Sequence, residues 1–335
     1  MDIIKGHYLI TGATGFLGRV ITECFVNSGC MVTILVRDVN RCSEFIKRMI
    51  SEEKIKCYTG DIVESDFIDR IISKHETEQL CSVDYILHFA ATTQSKNMID
   101  NPVEVADGIV LGTKNILELA RKLNVLGMVY ISSMEVYGRV EDKGTLVTEE
   151  ELGDVDIFNE RSCYPMGKRM AEQYCYNYYC EYGVPVKIAR LAQTFGTGIS
   201  PEDNRVFMQF VKAAYENRDI VLKTKGLSYG NYCETMDAIR GILTILQKGK
   251  SGEAYNVVNE ANTMRIKEMA QLVSHCIAND RINVTYDIDN TEKNGYAADT
   301  QLRLSGEKLR MLGWTPSKNL EQMYRDLYNE ITKRN

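Results

Sequence analysis

Short apolar runs alternate with amphipathic stretches along the first 190 residues of the chain. The apolar runs have the length of buried strands, and the stretches between them carry apolar residues at helical spacing. The predicted strands are residues 7–10, 31–36, 54–58, 83–89, 127–131 and 186–189, and the predicted helices are 19–27, 66–74, 103–124 and 164–182. This alternation predicts an α/β fold with a doubly wound parallel sheet, in which ligands bind at the carboxyl ends of the strands.

Three glycines follow the first predicted strand in the segment YLITGATGFLG, at residues 8–18. Glycine lets the backbone of a tight turn approach a ligand closely, and the helix that follows offers free N–H groups to a pyrophosphate. Gly18 has no side chain at the point where the helix packs near the strand. The segment therefore predicts a dinucleotide site of the Rossmann type, with cofactor contacts from Gly12, Thr14, Gly15, Phe16, Leu17 and Gly18.

The ends of the next strands supply further candidate cofactor contacts. Arg37 follows the second strand, where the adenosine ribose lies in such folds, and an arginine there can hold a 2′-phosphate. Arg37 thus favours NADP, while the adjacent Asp38 leaves NAD open as the alternative. Asp61 and Ile62 follow the third strand, where a carboxylate can accept a bond from an adenine amino group. Small residues after the fourth strand, Ala90 and Ala91, let the backbone pass close beneath a dinucleotide.

A serine and a tyrosine–lysine pair are predicted to reach the same edge of the sheet. Ser133 ends the fifth strand, and Tyr164 and Lys168 lie one turn apart on one face of a helix. A lysine ammonium near a tyrosine stabilises the phenolate, so that Tyr164 can take a proton from a substrate hydroxyl while hydride leaves the same carbon. Ser133 would donate a hydrogen bond to the substrate oxygen.

With these motifs in place, the chain resembles the extended short-chain dehydrogenase/reductase family, and within it the nucleotide-sugar epimerases and dehydratases. The matching segments are TGATGFLG (11–18), GDI (60–62), HFAA (88–91), SSMEVYG (132–138), YPMGK (164–168), ARLAQTFG (189–196) and YNVVN (255–259). The resemblance implies the catalytic set Ser133, Tyr164 and Lys168 and a nucleotide-diphosphate sugar as substrate. It also implies a homodimer formed through a four-helix bundle of residues 103–124 and 164–182.

Within this family, the residues after the catalytic serine bear on the type of reaction. Members that remove water from the sugar typically carry Asp-Glu there, whereas this chain has Met134-Glu135. Glu135 can still abstract a proton beside a transient ketone, but the acid that would protonate a leaving hydroxyl is missing. We therefore expect an NAD(P)-dependent epimerase. A reductase, dehydratase or decarboxylase of the same family, and a non-catalytic dinucleotide-binding protein, are the alternatives.

The second half of the chain is expected to bind the substrate. Residues 207–216, 236–247 and 266–277 are predicted helices, 255–258 is a predicted strand, and the tail 302–333 is predicted to be helical. We expect a Rossmann domain over residues 1–190, to which segments near 228–260 return, and a smaller mixed α/β domain over 191–335. Candidate substrate contacts are Gln193, Arg205 and Asn231, with Arg205 as the diphosphate ligand.

Composition narrows the partners further. The net charge of −6 and a sequence pI near 5.5 come without a basic patch, which argues against a nucleic-acid partner. No apolar run approaches the roughly 20 residues needed to span a bilayer, and the chain enters strand-like sequence at once, leaving no room for a signal peptide. The ten cysteines and four histidines show no metal-ligand spacing. We expect a cytoplasmic protein with reduced thiols and no metal.

Overall fold

A parallel sheet of seven strands forms the central layer of the computed structural model, which describes residues 3–77, 82–288 and 300–334. The strands of the described residues are β1 (His7–Thr11), β2 (Met31–Val36), β3 (Ile55–Thr59), β4 (Tyr85–His88), β5 (Gly127–Ser133), β6 (Val186–Leu191), β7 (Gln193–Phe195), β8 (Ile220–Leu222), β9 (Tyr229–Glu234), β10 (Ala254–Val257), β11 (Asn259–Arg265) and β12 (Val284–Tyr286). The order in the large sheet is β3-β2-β1-β4-β5-β6-β10. This order places the ends of β1, β4 and β5 side by side.

Helices cover both faces of this sheet. In chain order they are α1 (Phe16–Asn27), α2 (Glu44–Ser51), α3 (Ser65–Thr77), α4 (Ser95–Asp100), α5 (Pro102–Lys122), α6 (Cys163–Tyr182), α7 (Val206–Tyr215), α8 (Thr235–Lys248), α9 (Ile266–Leu272), α10 (Glu307–Arg310) and α11 (Leu320–Arg334). One core joins the sheet to α1, α2 and α8, and a second joins its other face to α3, α5 and α6. Every residue of β1 is buried, as expected for a strand covered on both sides. The predicted doubly wound parallel sheet is confirmed.

A smaller part of the fold is built on a mixed sheet of β7, β9 and β11 and on the pair β8–β12. Strand β7 runs parallel to β9, whereas β11 runs antiparallel to it. Helices α7, α9 and α11 enclose a separate apolar core against these strands. The chain passes from β9 back to the large layer through α8 and β10, and leaves it again in β11. The smaller mixed α/β part agrees with the predicted fold class.

Several predicted helices have different bounds in the structure, among them α1, α9 and the helical tail. Helix α1 begins at Phe16, inside the glycine motif, rather than at residue 19, and α9 continues into a π-helical turn over Val273–Ile277. The predicted helical tail is divided into α10 and α11, because Gly313 has a φ of +90° and interrupts the helix. The segment between them is anchored on Asp237, whose backbone carbonyl accepts from Trp314 Nε1 at 3.0 Å. Within the described ranges, no helix is both long and apolar enough to cross a membrane.

Candidate active site

The glycine turn after β1 is packed so tightly that neither Gly12 nor Gly18 could carry a side chain. Gly12 has a φ of +75°, and a Cβ atom there would lie 2.8 Å from the backbone nitrogen of Ala90. A Cβ atom on Gly18 would lie 2.2 Å from the carbonyl oxygen of Gly12. Gly15 donates its N–H to the same carbonyl at 2.9 Å. These contacts bring the start of α1 close against the ends of β1 and β4.

The amino terminus of α1 is open to an anion. Gly15 is its N-cap, no side chain caps the helix, and its first turn carries no acidic residue. The backbone N–H groups around Thr14, Phe16 and Leu17 therefore remain available as hydrogen-bond donors. They also lie at the positive end of the helix dipole. A cradle of backbone N–H groups at the start of a helix fits the pyrophosphate of a dinucleotide.

Replacing Gly18 with alanine tests this cradle. The added Cβ must displace the Gly12 carbonyl, so we expect the unfolding free energy to fall by about 1–3 kcal/mol and dinucleotide affinity to fall with it. Gly108 in α5 is the control, because a Cβ there meets nothing within 4 Å and G108A should instead stabilise the helix slightly. Denaturant titration and calorimetric binding of the dinucleotide measure both effects. Equal behaviour of the two variants would contradict the tight turn.

A buried hydrogen-bond chain holds the ends of β1 and β4 together, and the sequence analysis did not identify it. The Thr11 hydroxyl lies 2.6 Å from His88 Nδ1 and accepts from the Ala90 N–H at 3.1 Å. His88 Nε2 lies 3.1 Å from the Thr113 hydroxyl on α5. Burial lowers the pKa of His88 to about 3, so the imidazole stays neutral at physiological pH. This series of hydrogen bonds positions Ala90 and Ala91 next to the glycine turn.

Arg37 and Asp61 are neighbours at the other side of this cradle. The Arg37 side chain is 56% exposed, with Nη1 4.0 Å from Asp61 Oδ2 and 3.6 Å from Glu104 Oε1. Asp61 also accepts the Val63 N–H at 3.0 Å, which fixes the loop after β3. Ile62 is buried. Arg37 is thus an exposed cation beside the edge of the sheet, held loosely by carboxylates.

The structure brings Ser133 and Tyr164 together at the carboxyl end of β5. The Ser133 hydroxyl is close enough to the Tyr164 phenol to lower its pKa, and it accepts the backbone N–H of Glu135 at 3.2 Å. Tyr164 is 6% exposed, in the first turn of α6. Burial and then the Glu135 carboxylate raise the pKa of Tyr164, while the polar Ser133 hydroxyl and the Arg161 charge lower it. The phenol therefore starts protonated.

Lys168 makes contacts that the sequence did not predict. Its ammonium donates to the Ile131 carbonyl at 2.7 Å and lies 4.7 Å from the centre of the Tyr130 ring, compared with 5.8 Å for the Tyr164 ring. Burial lowers the pKa of Lys168 to about 7, against the charge of Glu172. Lys168 is expected to stabilise the phenolate of Tyr164. In this structure its ammonium is hydrogen-bonded to the Ile131 carbonyl of β5 and lies further from the Tyr164 ring.

Glu135 and Arg161 form an ion pair beside Tyr164. Arg161 Nη2 donates to the two carboxylate oxygens of Glu135 at 2.9 Å and 3.2 Å. Both side chains are a little over one third exposed, at 37% and 35%. Glu135 is expected from the sequence, whereas Arg161 is not. Only the fold shows that the segment before α6 contacts the turn after β5.

A buried ion pair lies close to the catalytic residues. Glu172 on α6 accepts two bonds from Arg190 Nε, at 3.0 Å and 3.2 Å, and one from Arg190 Nη2 at 2.7 Å. The hydroxyl of Ser132, next to Ser133, donates to Glu172 at 2.5 Å. Arg190 also donates to the Tyr137 hydroxyl at 3.1 Å. The network ties α6, β5 and β6 together where the site residues are carried.

The three predicted substrate contacts have different environments. Gln193 is half-buried on β7, and its Oε1 atom is buried with no hydrogen-bond partner among the described residues. Arg205 is exposed and pairs with Asp203 at 2.8 Å. Asn231 is fully buried and does not match the expectation of a substrate contact, because its amide oxygen accepts the Leu304 N–H and its amide nitrogen donates to the Leu302 carbonyl.

Two further arginines in the smaller part have unused donors. Arg265 and Arg303 stack on the Tyr229 ring, with guanidinium carbons 5.1 Å and 5.6 Å from its centroid. Each has a buried Nε atom without a hydrogen-bond partner in the part of the chain that the structure describes. Arg265 lies directly opposite Tyr229 in the β9–β11 ladder, next to Gly230. The described residues contain no cluster of three or more histidine, cysteine or acidic side chains able to hold a metal ion.

Known proteins share this fold and sequence pattern. The chain is 27% identical over 318 residues to UDP-glucuronic acid decarboxylase 1 of Danio rerio, covering 95% of this chain and 71% of that protein. It is 27% identical over 322 residues to dTDP-D-glucose 4,6-dehydratase of Bos taurus, covering 94% and 85%. A solved structure of UDP-glucose 4-epimerase from Thermotoga maritima, with UDP-glucose, superposes with a TM-score of 0.81 at 19% identity, covering 98% of this chain and 99% of that one.

The family model that matches this chain covers the elements that carry the site. It spans residues 8–258, from β1 through β10, and so includes the glycine turn, Ser133, Tyr164 and Lys168. The chain belongs to the NAD dependent epimerase/dehydratase family, whose enzymes use a nicotinamide dinucleotide.

Proposed function

We propose that the protein is a nucleotide-sugar epimerase that acts through a transient keto-sugar. The observation that carries this proposal is the hydroxyl pair of Ser133 and Tyr164 at the end of β5, with one carboxylate, Glu135, beside it. A bound nicotinamide dinucleotide supplies the acceptor and the donor of hydride. The cradle of Gly12, Gly18 and the open end of α1 fits such a group.

The side chains of this site have separate tasks in the proposed reaction. Once its phenol has lost its own proton, Tyr164 accepts the proton of the sugar hydroxyl as the carbon is oxidised, and returns it when the ketone is reduced. Ser133 donates a hydrogen bond to the same substrate oxygen and holds it near Tyr164. Lys168 fixes the end of β5 through the Ile131 carbonyl and adds positive charge beneath the site.

The identity of residue 134 supports epimerisation over loss of water. A dehydration needs an acid to protonate the leaving hydroxyl, and Met134, next to Glu135, has no acidic group. Glu135 can remove a proton beside a ketone and return it to the opposite face after the enolate has turned over, whereas rotation of the intact keto-sugar needs no carboxylate. A family reductase, dehydratase or decarboxylase is the alternative, since the relatives of this chain include a dehydratase and a decarboxylase. A non-catalytic dinucleotide-binding protein is less favoured, because the chain carries Ser133, Tyr164 and Lys168 together at the end of β5.

We propose that the nucleotide and sugar of the substrate lie between the large sheet and the smaller part. Gln193 has a buried oxygen ready to accept a hydrogen bond. Arg205 is exposed and retains donors for a diphosphate. Arg265 and Arg303 are added to the expected set, because their buried Nε donors have no partner in the described chain. They replace Asn231, whose amide is engaged by backbone.

A panel of UDP-, dTDP-, GDP- and CDP-sugars, followed by NMR in the presence of the dinucleotide, tests the proposal. The proposal expects a new sugar epimer with no net change in NADPH or NADH. Consumption of one equivalent of NADPH per product would instead indicate a reductase, and release of carbon dioxide or water from the sugar would indicate the other two alternatives.

We propose NADP as the cofactor, with NAD as the alternative. Arg37 is exposed beside the sheet edge, where a 2′-phosphate of the cofactor would lie. The Arg37→Ala variant should therefore bind NADP roughly 10–100-fold more weakly, because a charge-assisted hydrogen bond is lost, and bind NAD unchanged. Calorimetric titration with each dinucleotide measures this. If the substitution weakens the binding of both dinucleotides equally, or of neither, Arg37 does not recognise a 2′-phosphate and the cofactor is NAD.

We also propose a cytoplasmic homodimer in which α5 and α6 pair with the same helices of a second copy. Exposed apolar side chains on these helices support it, namely Leu111, Met166, Met170 and Tyr176. Analytical ultracentrifugation at micromolar concentration tests the dimer, and a monomer mass would overturn it.

A further inference from the structure

We propose that Arg161 is a positioning residue, which fixes the Glu135 carboxylate beside Tyr164 and balances its negative charge. This inference rests on the proposed function, because it concerns the proton transfer that Tyr164 performs there. Arg161 does not belong to the catalytic set expected from the sequence, and it reaches the reacting groups only through Glu135.

The ion pair connects the two segments that carry the reacting hydroxyls. Glu135 lies in the turn Met134–Tyr137, which Ser133 caps by accepting the Glu135 N–H at 3.2 Å. Arg161 lies in the turn Glu160–Ser162, which leads directly into α6 and Tyr164. The two bonds of 2.9 Å and 3.2 Å therefore fix the turn after β5 relative to the start of α6.

The turn that carries Arg161 is itself anchored. The side chain of Asn159 accepts the Arg161 N–H at 3.0 Å, and the Ser162 hydroxyl donates to the Asp156 carbonyl at 2.5 Å. The Arg161 guanidinium thus projects from a fixed backbone. Ser133 holds the Glu135 backbone, and the two bonds from Arg161 hold its carboxylate.

The charges around Tyr164 explain why this pairing matters. Glu135 from the turn after β5 raises the pKa of Tyr164, and Arg161 from the turn before α6 lowers it. Tyr130 on β5 lies in the same buried cluster as Tyr164, and Lys168, one turn further along α6, has its ammonium bonded to the Ile131 carbonyl. Arg161 is therefore the cation that offsets Glu135. Without it, an uncompensated carboxylate would oppose loss of the phenol proton.

The pH dependence of kcat/KM tests the inference in four variants. They are Arg161→Gln, Arg161→Lys, Glu135→Gln and the double variant R161Q/E135Q. The rate should rise with pH as Tyr164 loses its proton. We expect R161Q to move this rising limb upward by about 1 pH unit, R161K to move it less, and E135Q to move it downward. The double variant should return the limb near its wild-type position even if its maximal rate is low.

A matched control separates this effect from general loss of charge. Arg325 on α11 pairs with Glu321 at 2.7 Å on the surface, so R325Q should leave the limb unchanged. A limb that stays in place in R161Q, within an enzyme that turns over, would overturn the inference alone. If the wild-type protein turns over no nucleotide sugar, the proposed function fails. The crystal structure of R161Q then decides the inference, which expects the Glu135 carboxylate to leave Tyr164 and is overturned if the carboxylate stays.

Discussion

Replacing Tyr164 with phenylalanine is expected to lower kcat by about 10²–10⁴-fold, the usual contribution of a positioned acid–base group. The hydroxyl is the atom that exchanges a proton with the sugar in the proposed reaction, and phenylalanine removes it alone. The Tyr164 ring is buried in the core against the large sheet, so phenylalanine should keep its packing. The fold and dinucleotide affinity should therefore change little.

Steady-state turnover of the substrate found in the nucleotide-sugar panel measures this effect. Circular dichroism and dinucleotide titration of the same variant serve as controls for folding and cofactor binding. Ser133→Ala should lower kcat less, because it removes a hydrogen bond to the substrate oxygen and leaves the proton acceptor. Full activity in Y164F would remove Tyr164 from the mechanism and favour the dinucleotide-binding alternative.

Replacing Glu172 with glutamine is expected to lower the unfolding free energy by about 3–5 kcal/mol, because it leaves a buried charge without its partner. Arg190 is 6% exposed and donates three of its hydrogen bonds to this carboxylate. The Ser132 hydroxyl loses its charged acceptor in the same change. Since these residues underlie Ser133 and Lys168, activity should fall as well.

Glu321 provides the matched control for this prediction. Its pair with Arg325 has the same charges at 2.7 Å but is 40% and 52% exposed, so E321Q should cost no more than about 1 kcal/mol. Urea titration of the two variants gives the difference directly. Equal losses of stability would show that the buried network does not hold α6 to β5 and β6.

Local sequence patterns predicted the parts of the protein in which neighbouring residues determine the structure. Burial on both faces makes parallel strands continuous apolar runs, and close packing at Gly12 and Gly18 requires glycine at fixed spacing. Both features are visible without the fold. The same holds for Tyr164 and Lys168, which are brought near each other by a single helical turn.

The missed residues come from segments that meet only in three dimensions. Arg161 reaches Glu135 from 26 positions away, and Arg190 reaches Glu172 across two elements. Nothing in their local sequence distinguishes them from surface ion pairs. Asn231 is a candidate substrate contact in the sequence, yet the pairing of β9 with β11 turns its amide toward the segment 302–304.

Isotope tracing through one catalytic cycle tests the central claim most directly, namely that hydride leaves and returns at the carbon whose hydroxyl reaches Tyr164. The substrate identified by the panel is deuterated at that carbon and incubated with the protein and a small amount of oxidised dinucleotide. The account predicts an epimeric product that keeps its deuterium, with no accumulation of reduced dinucleotide. Deuterium that builds up in the dinucleotide in step with product, or an unlabelled epimer, would contradict it.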